Sequence, residues 1–213
     1  MSIIIKGVME MISCKRLLLK KNVFKACAFL LSVFIWILST PLVGLATSPP
    51  RTRFLAVQHV DQAKSKWCWA ASAEALGKYV YPCTSRSQWD AVSYVKGSGY
   101  PDEGSTVQEN IQAIQYITFN KYSASFVGLL TFEQIADEID KGHPVYSGLK
   151  WNAGGAHAVV FSGYNGLTES IQIVDPSPGH QFEGHSYTSM VNGTTFQSGV
   201  GRYIDSITIT KNG

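Results

Sequence analysis

Residues 62–80 read QAKSKWCWAASAEALGKYV, a loop-like run that becomes helix-like around a cysteine set between two tryptophans. Two readings compete for Cys68. A free cysteine is among the most buried residue types, so it could be a small thiol packed among aromatics. It could also be a nucleophile at a helix N-terminus, where the dipole favours a thiolate. Ser65 is a fitting N-cap and places Cys68 in the first turn. Ala71, Ala75 and Tyr79, with Ser72, Leu76 and Val80, recur at helical spacing, and Tyr81-Pro82 ends the helix. The small alanines suit a helix packed closely through the centre of a fold. A nucleophile also needs a base and a group to orient that base, so the rest of the chain decides between the readings.

The first 46 residues do not read as part of a fold. Lys15, Arg16, Lys20, Lys21 and Lys25 form a basic run, ACAFLLSVFIWIL is nearly unbroken apolar sequence, and VGLATS closes with small residues. Basic, then apolar, then small is the order of a secretory signal peptide, with cleavage expected after Ala46. The rival is an uncleaved anchor helix, which the Ser39-Thr40-Pro41 interruption opposes. Cleavage implies export to the periplasm or beyond and no membrane span in the mature chain. Six of the 18 Lys and Arg precede residue 47 against one acid, leaving 12 basic and 14 acidic residues. The basicity therefore belongs to the leader, and no nucleic-acid surface is expected. What remains suits a single domain.

Only Cys68 and Cys83 lie outside the leader. A secreted chain with two cysteines could join them. A straight helix between them, however, separates them by ~20 Å, far beyond the ~7 Å reach of a disulfide. Both are expected to stay free.

Along the rest of the chain, residues 47–60 form a linker with Pro49-Pro50 and then a short strand, and the domain proper spans 61–213. Further helices are expected in SRSQWDAVSYVKG, STVQENIQAIQYI and TFEQIADEIDKG. KYSASFVG, HPVYSGLKW, AHAVVFSGY, ESIQIVD and RYIDSITIT read as strands, the last four separated by glycine and polar turns. Helices first and antiparallel strands second indicate an α+β fold of segregated halves, with a cleft between them. There is no phosphate-binding loop, and the histidines lack the paired cysteines or HExxH spacing of a metal site, so no cofactor or metal is expected.

Five histidines follow the leader: His59, His143, His157, His180 and His185. His59 and His143 stand in or beside expected strands without notable neighbours, and His180 and His185 in an expected loop. His157 differs, because Gly154 and Gly155 precede it, small alanines flank it, and it opens an apolar strand. The following strand ends in Asp175-Pro176. A hairpin across NGLT (165–168) runs the two strands in opposite directions, so Asp175 can reach His157 as an orienting carboxylate. Gln62, six residues before Cys68, can offer its amide to an oxyanion, with the unsatisfied backbone N–H of Cys68 as second donor.

The segments QAKSKWCWAAS, GGAHAVVFSGYN and IVDPSPG together resemble the papain-like cysteine peptidases, over roughly residues 55–180. The resemblance is to their compact bacterial branch, which includes plant-pathogen effector peptidases and bacteriocin-leader peptidases. It implies a papain-like fold, a secreted thiol peptidase, and the site set Cys68, His157, Asp175 and Gln62. Lys66-Trp67 departs from the Gly-Ser or Gly-Ala before the nucleophile of plant and lysosomal relatives, and Asp175 stands for their asparagine. The interval before Gln62 is too short for their inhibitory pro-segment, so restraint would come from a partner, a condition or narrow specificity. The expected partner is a peptide or protein substrate; an inhibitor or immunity protein is left unnamed. Two rivals remain open, a papain-fold amidase, transglutaminase or cell-wall amide hydrolase with the same triad, and a non-enzymatic binding domain.

Overall fold

The computed structural model describes residues 51–180 and 182–213. The expected leader, its cleavage site and Pro49-Pro50 lie outside the described residues. Helix α1 (Cys68–Val80) is the axis of the helical half, with every residue from Trp69 to Gly77 buried. Its alanines allow α3 (Val107–Ile117) to come close. The approach is tightest at Gly77, where a Cβ would lie 2.2 Å from Ile117 Cγ2, closer than any side chain could tolerate without a shift of the helices. Glu74 is buried in α1 but not unpaired. Its carboxylate takes Lys78 on one side and the backbone N–H of Gln88 on the other, so it anchors the start of α2 (Gln88–Lys96).

The other helices begin where their local chemistry dictates. In α3 the Thr106 hydroxyl accepts from the Glu109 N–H while the Glu109 carboxylate accepts from the Thr106 N–H, a reciprocal capping box. Thr131 and Gln134 do the same for α4 (Phe132–Asp140). Each of these three helices lies within the stretch in which the sequence predicts it.

The second half is an antiparallel sheet of eight strands in the order β2-β8-β3-β4-β5-β6, with β1 paired to β4 and β7 to β8. The strands are β1 (Thr52–Phe54), β2 (Tyr122–Phe126), β3 (Val145–Trp151), β4 (Ala156–Asn165), β5 (Ser170–Val174), β6 (Phe182–Ser186), β7 (Thr194–Phe196) and β8 (Gly199–Lys211). The fold is α+β and papain-like, helices first and sheet second. Strand β1 runs against Gly163–Asn165 of β4, and Leu55 and Val57 just after it are buried, so this segment is continuous with the sheet. Three features were not legible in the sequence. His185 lies in β6 rather than in a loop, a one-and-a-half-turn helix α5 (Tyr187–Asn192) follows it, and β7 folds back on β8. Their segments are short, polar and rich in glycine and serine, so neither period 2 nor period 3.6 stands out. Tertiary pairing makes them regular.

Candidate active site

Cys68 is the first residue of α1, and Trp67 is its N-cap. This corrects the assignment of Ser65 as the cap. The Ser65 hydroxyl instead donates to Asp102 Oδ2 at 2.7 Å, and the Lys66 N–H to Asp102 Oδ1 at 2.8 Å. An indole offers no acceptor, so no side chain caps the helix, and only the Trp67 carbonyl takes early N–H groups, those of Ala70 and Ala71. Trp67 and Trp69 explain why a cysteine is held between two tryptophans. Their indole N–H groups donate to the carbonyls of Pro101 (2.8 Å) and Glu103 (3.0 Å), and both rings are buried. The Cys68 turn is thus clamped to the 100–103 loop by two indoles and one carboxylate. Cys83 is exposed beyond the helix, and both cysteines are free, as the helix length requires.

His157 opens β4 and is 8 % exposed, and Asp175 follows β5 and is 1 % exposed. The β4–β5 hairpin, with one register shift between Phe161 and Gly163, brings them together. His157 Nε2 is 2.8 Å from Asp175 Oδ1, as the antiparallel hairpin predicts. With Nε2 committed to the carboxylate, Nδ1 is the ring nitrogen left for Cys68, which lines the same cleft. Burial pulls the His157 pKa down, but the bonds to Asp175 and Cys68 and the charges of both outweigh it, raising it to about 9. Burial pushes the Asp175 carboxyl up. The imidazole, the Ser198 hydroxyl and the Ser177 N–H reverse this and hold it well below the usual carboxylate range.

The surroundings of this pair supply residues that sequence reasoning missed. Ser198, in the β7–β8 turn, donates to Asp175 Oδ2, and the Ser177 N–H donates to Oδ1 at 2.8 Å. The Trp151 ring stacks on the imidazole, with centroids 5.4 Å apart and planes at 24°, and Phe196 backs the indole. His59 and His143 do have neighbours. His143 Nδ1 lies 3.3 Å from Glu138 Oε2, and His59 Nε2 donates to the Asp175 carbonyl at 2.7 Å. The Gln62 N–H donates to the Pro176 carbonyl at 2.8 Å. The segment leading into Cys68 is therefore fastened to the loop that carries Asp175. Trp151 had one signal in the sequence, an aromatic at the end of a strand just before the double glycine; Ser198 had none.

Gln62 and Cys68 line one cleft of about 550 Å³, facing Tyr146, His157 and Asp205 from the sheet. The Gln62 Nε2 protons point at the carbonyls of Lys64 (3.0 Å) and Ser65 (2.9 Å), while Oε1 is buried without a protein partner. Two carbonyl acceptors require the nitrogen on that side, since a flipped amide would set oxygen against oxygen. Among the described residues, His, Cys, Asp and Glu nowhere gather in threes fit to hold a metal ion.

Residues 51–192 match the family described as papain-like cysteine protease AvrRpt2. The chain belongs to this family. The AvrRpt2-type match spans α1, the hairpin of His157 and Asp175, and the strands between, and it makes the protein a papain-like cysteine peptidase. Among solved structures, the peptidase domain of Streptococcus ComA, a bi-functional ABC transporter involved in a quorum sensing pathway, is similar at a TM-score of 0.53. The two share 16 % identity over 73 % of this chain and 99 % of that one, a likeness of fold. The peptidase domain of Streptococcus mutans ComA gives 0.43, with 15 % identity over 72 % and 98 % of the two chains. No curated protein matches the chain.

Proposed function

We propose that the protein is an exported peptidase that hydrolyses peptide bonds through Cys68, His157 and Asp175, with Gln62 and the Cys68 N–H as oxyanion donors. The observation that carries this is an imidazole hydrogen-bonded at Nε2 to a buried carboxylate, in the same cleft as a thiol at a helix N-terminus. His157 Nδ1 takes the thiol proton, and the sulfur attacks the scissile carbonyl carbon. The oxyanion accepts from the Cys68 N–H and from one Gln62 amide proton, which turns from its backbone acceptor as charge develops. Collapse expels the amine, which leaves with the His157 proton. Water then attacks the thioester, with His157 as base, and releases the acid and the thiol. Asp175 holds the imidazole in orientation throughout and stays ionised.

Export is motivated by the basic, apolar and small order of residues 15–46. N-terminal sequencing of protein secreted by the producing cells should begin near Thr47; an intact Met1 would favour an anchor. For the chemistry, iodoacetamide should alkylate Cys68 faster than the exposed Cys83, and Cys68→Ala should abolish cleavage of an internally quenched peptide library. Cleavage that survives Cys68→Ala in folded protein would sink the assignment.

A further inference from the structure

Strand β8 alternates inward and outward until Ile204. There the β3–β8 register shifts, with Gly148 opposite Asp205 but Leu149 opposite Tyr203, so Ile204 is an extra residue. Such a β-bulge re-aims the next side chain. It turns Asp205 into the cleft that holds Cys68 and His157. The facing strand makes room for it. A Cβ on Gly148 would lie 2.3 Å from Asp205 Oδ1, so the carboxylate occupies the space that any other residue at 148 would fill. Bulge and glycine together direct a carboxylate into a substrate cleft.

Among the described residues, no lysine, arginine or histidine pairs with Asp205. Lys66, across the cleft on the helical wall, makes no ion pair with it. Burial raises the Asp205 pKa above the ordinary carboxylate value, opposed by the Gly148 N–H. Asp205, the buried Tyr146 and Cys68 line the same cleft. Around it the wall is apolar: Phe126, Tyr146, Ile204 and Ile207. A half-buried carboxylate without a counter-ion is free to take a charge-assisted hydrogen bond from a cation entering the cleft. An apolar wall ending in a carboxylate matches the long aliphatic stem and charged tip of lysine or arginine.

We propose that Asp205 makes this cleft select peptides carrying a lysine or arginine side chain close to the scissile bond. The inference rests on the active-site reading above, and its test separates the two. A positional-scanning library of internally quenched peptides is cleaved by the full chain, with arginine compared with citrulline, and lysine with norleucine, at each position. At one position the cationic residue should be favoured in kcat/KM by at least about tenfold, the range of a charge-assisted hydrogen bond. Asp205→Asn should bring that ratio close to one, Asp205→Glu should keep part of it, and Asp205→Lys should turn it toward acidic residues. In the wild-type protein alone the ratio should shrink as pH falls through the titration of Asp205, while His157 affects both members of each peptide pair equally. This arm decides the matter if Asp205→Asn does not fold. Cleavage that needs Cys68 but shows no cationic preference, or a preference that Asp205→Asn leaves intact, overturns the inference and spares the active site. Cleavage that survives Cys68→Ala, or none by the wild type, overturns both.

Discussion

The Ser198 hydroxyl donates to Asp175 Oδ2 from the β7–β8 turn, on the side of the carboxylate opposite to His157. With the Ser177 N–H on Oδ1, both oxygens are engaged, which fixes the orientation in which the acid meets the imidazole. The carboxylate that meets the imidazole is itself held by a residue 23 places further along the chain.

Ser198→Ala should therefore lower kcat/KM by roughly tenfold, the scale of one hydrogen bond to a charged group. It removes a donor that favours ionised Asp175, so the acidic limb of the pH–rate profile should move to higher pH, and Ser198→Thr should restore it. An unchanged profile in Ser198→Ala would reduce the residue to ordinary packing.

Asp175→Asn should retain more activity than Asp175→Ala. The amide oxygen can still accept at the Oδ1 position, and the NH2 can donate to Ser198, whereas alanine leaves Ser177, Ser198 and His157 unpartnered. Steady-state kinetics on both variants, with circular dichroism to verify folding, compare them. Equal and complete loss would mean that the negative charge is essential.

Gln62→Ala should lower kcat by roughly 10²–10³-fold with little change in KM, as for removal of one oxyanion donor. Alkylation of Cys68 by iodoacetamide forms no oxyanion, so its rate reports whether the 64–65 turn has held. A slowed alkylation would show that the two Gln62 bonds to Lys64 and Ser65 matter more than any donation to substrate. Gln62→Glu should be as poor or poorer, because a carboxylate would face two carbonyl oxygens.

His157 titrates at about 9, above its ordinary 6.5, and Asp175 below its ordinary value. A raised base contributes stability that is complete below pH 6.5 and lost as pH rises through about 9. A depressed acid contributes stability that is present above its unfolded value and lost as pH falls through its folded one. The pair is therefore intact from mildly acidic pH to near 9, and activity should fall on the alkaline side as the imidazolium loses its proton. In Cys68→Ala the NMR titration of His157 should move to lower pH, since the bond and charge of Cys68 help raise it. A midpoint unmoved from that of the wild type would mean that Asp175 alone sets it.

The sequence by itself determined what depends on near neighbours in the chain. Helical spacing after Cys68, the helical stretches 105–117 and 131–142, and a hairpin across four residues are short-range matters. From the last of these came the meeting of His157 with Asp175, only 18 residues apart. The placement of Gln62 beside Cys68 was equally local, but the direction of its amide protons was not, because it depends on how the 64–65 turn closes. Tertiary structure decided the rest. Ser198 reaches Asp175 only because β7 folds onto β8. Asp102 displaces Ser65 as the organiser of the helix start because two indoles draw its loop across, and Asp205 enters the cleft because one bulge in β8 meets one glycine in β3. These contacts join side chains brought together by strand order and register, and no local propensity records which strand lies beside which.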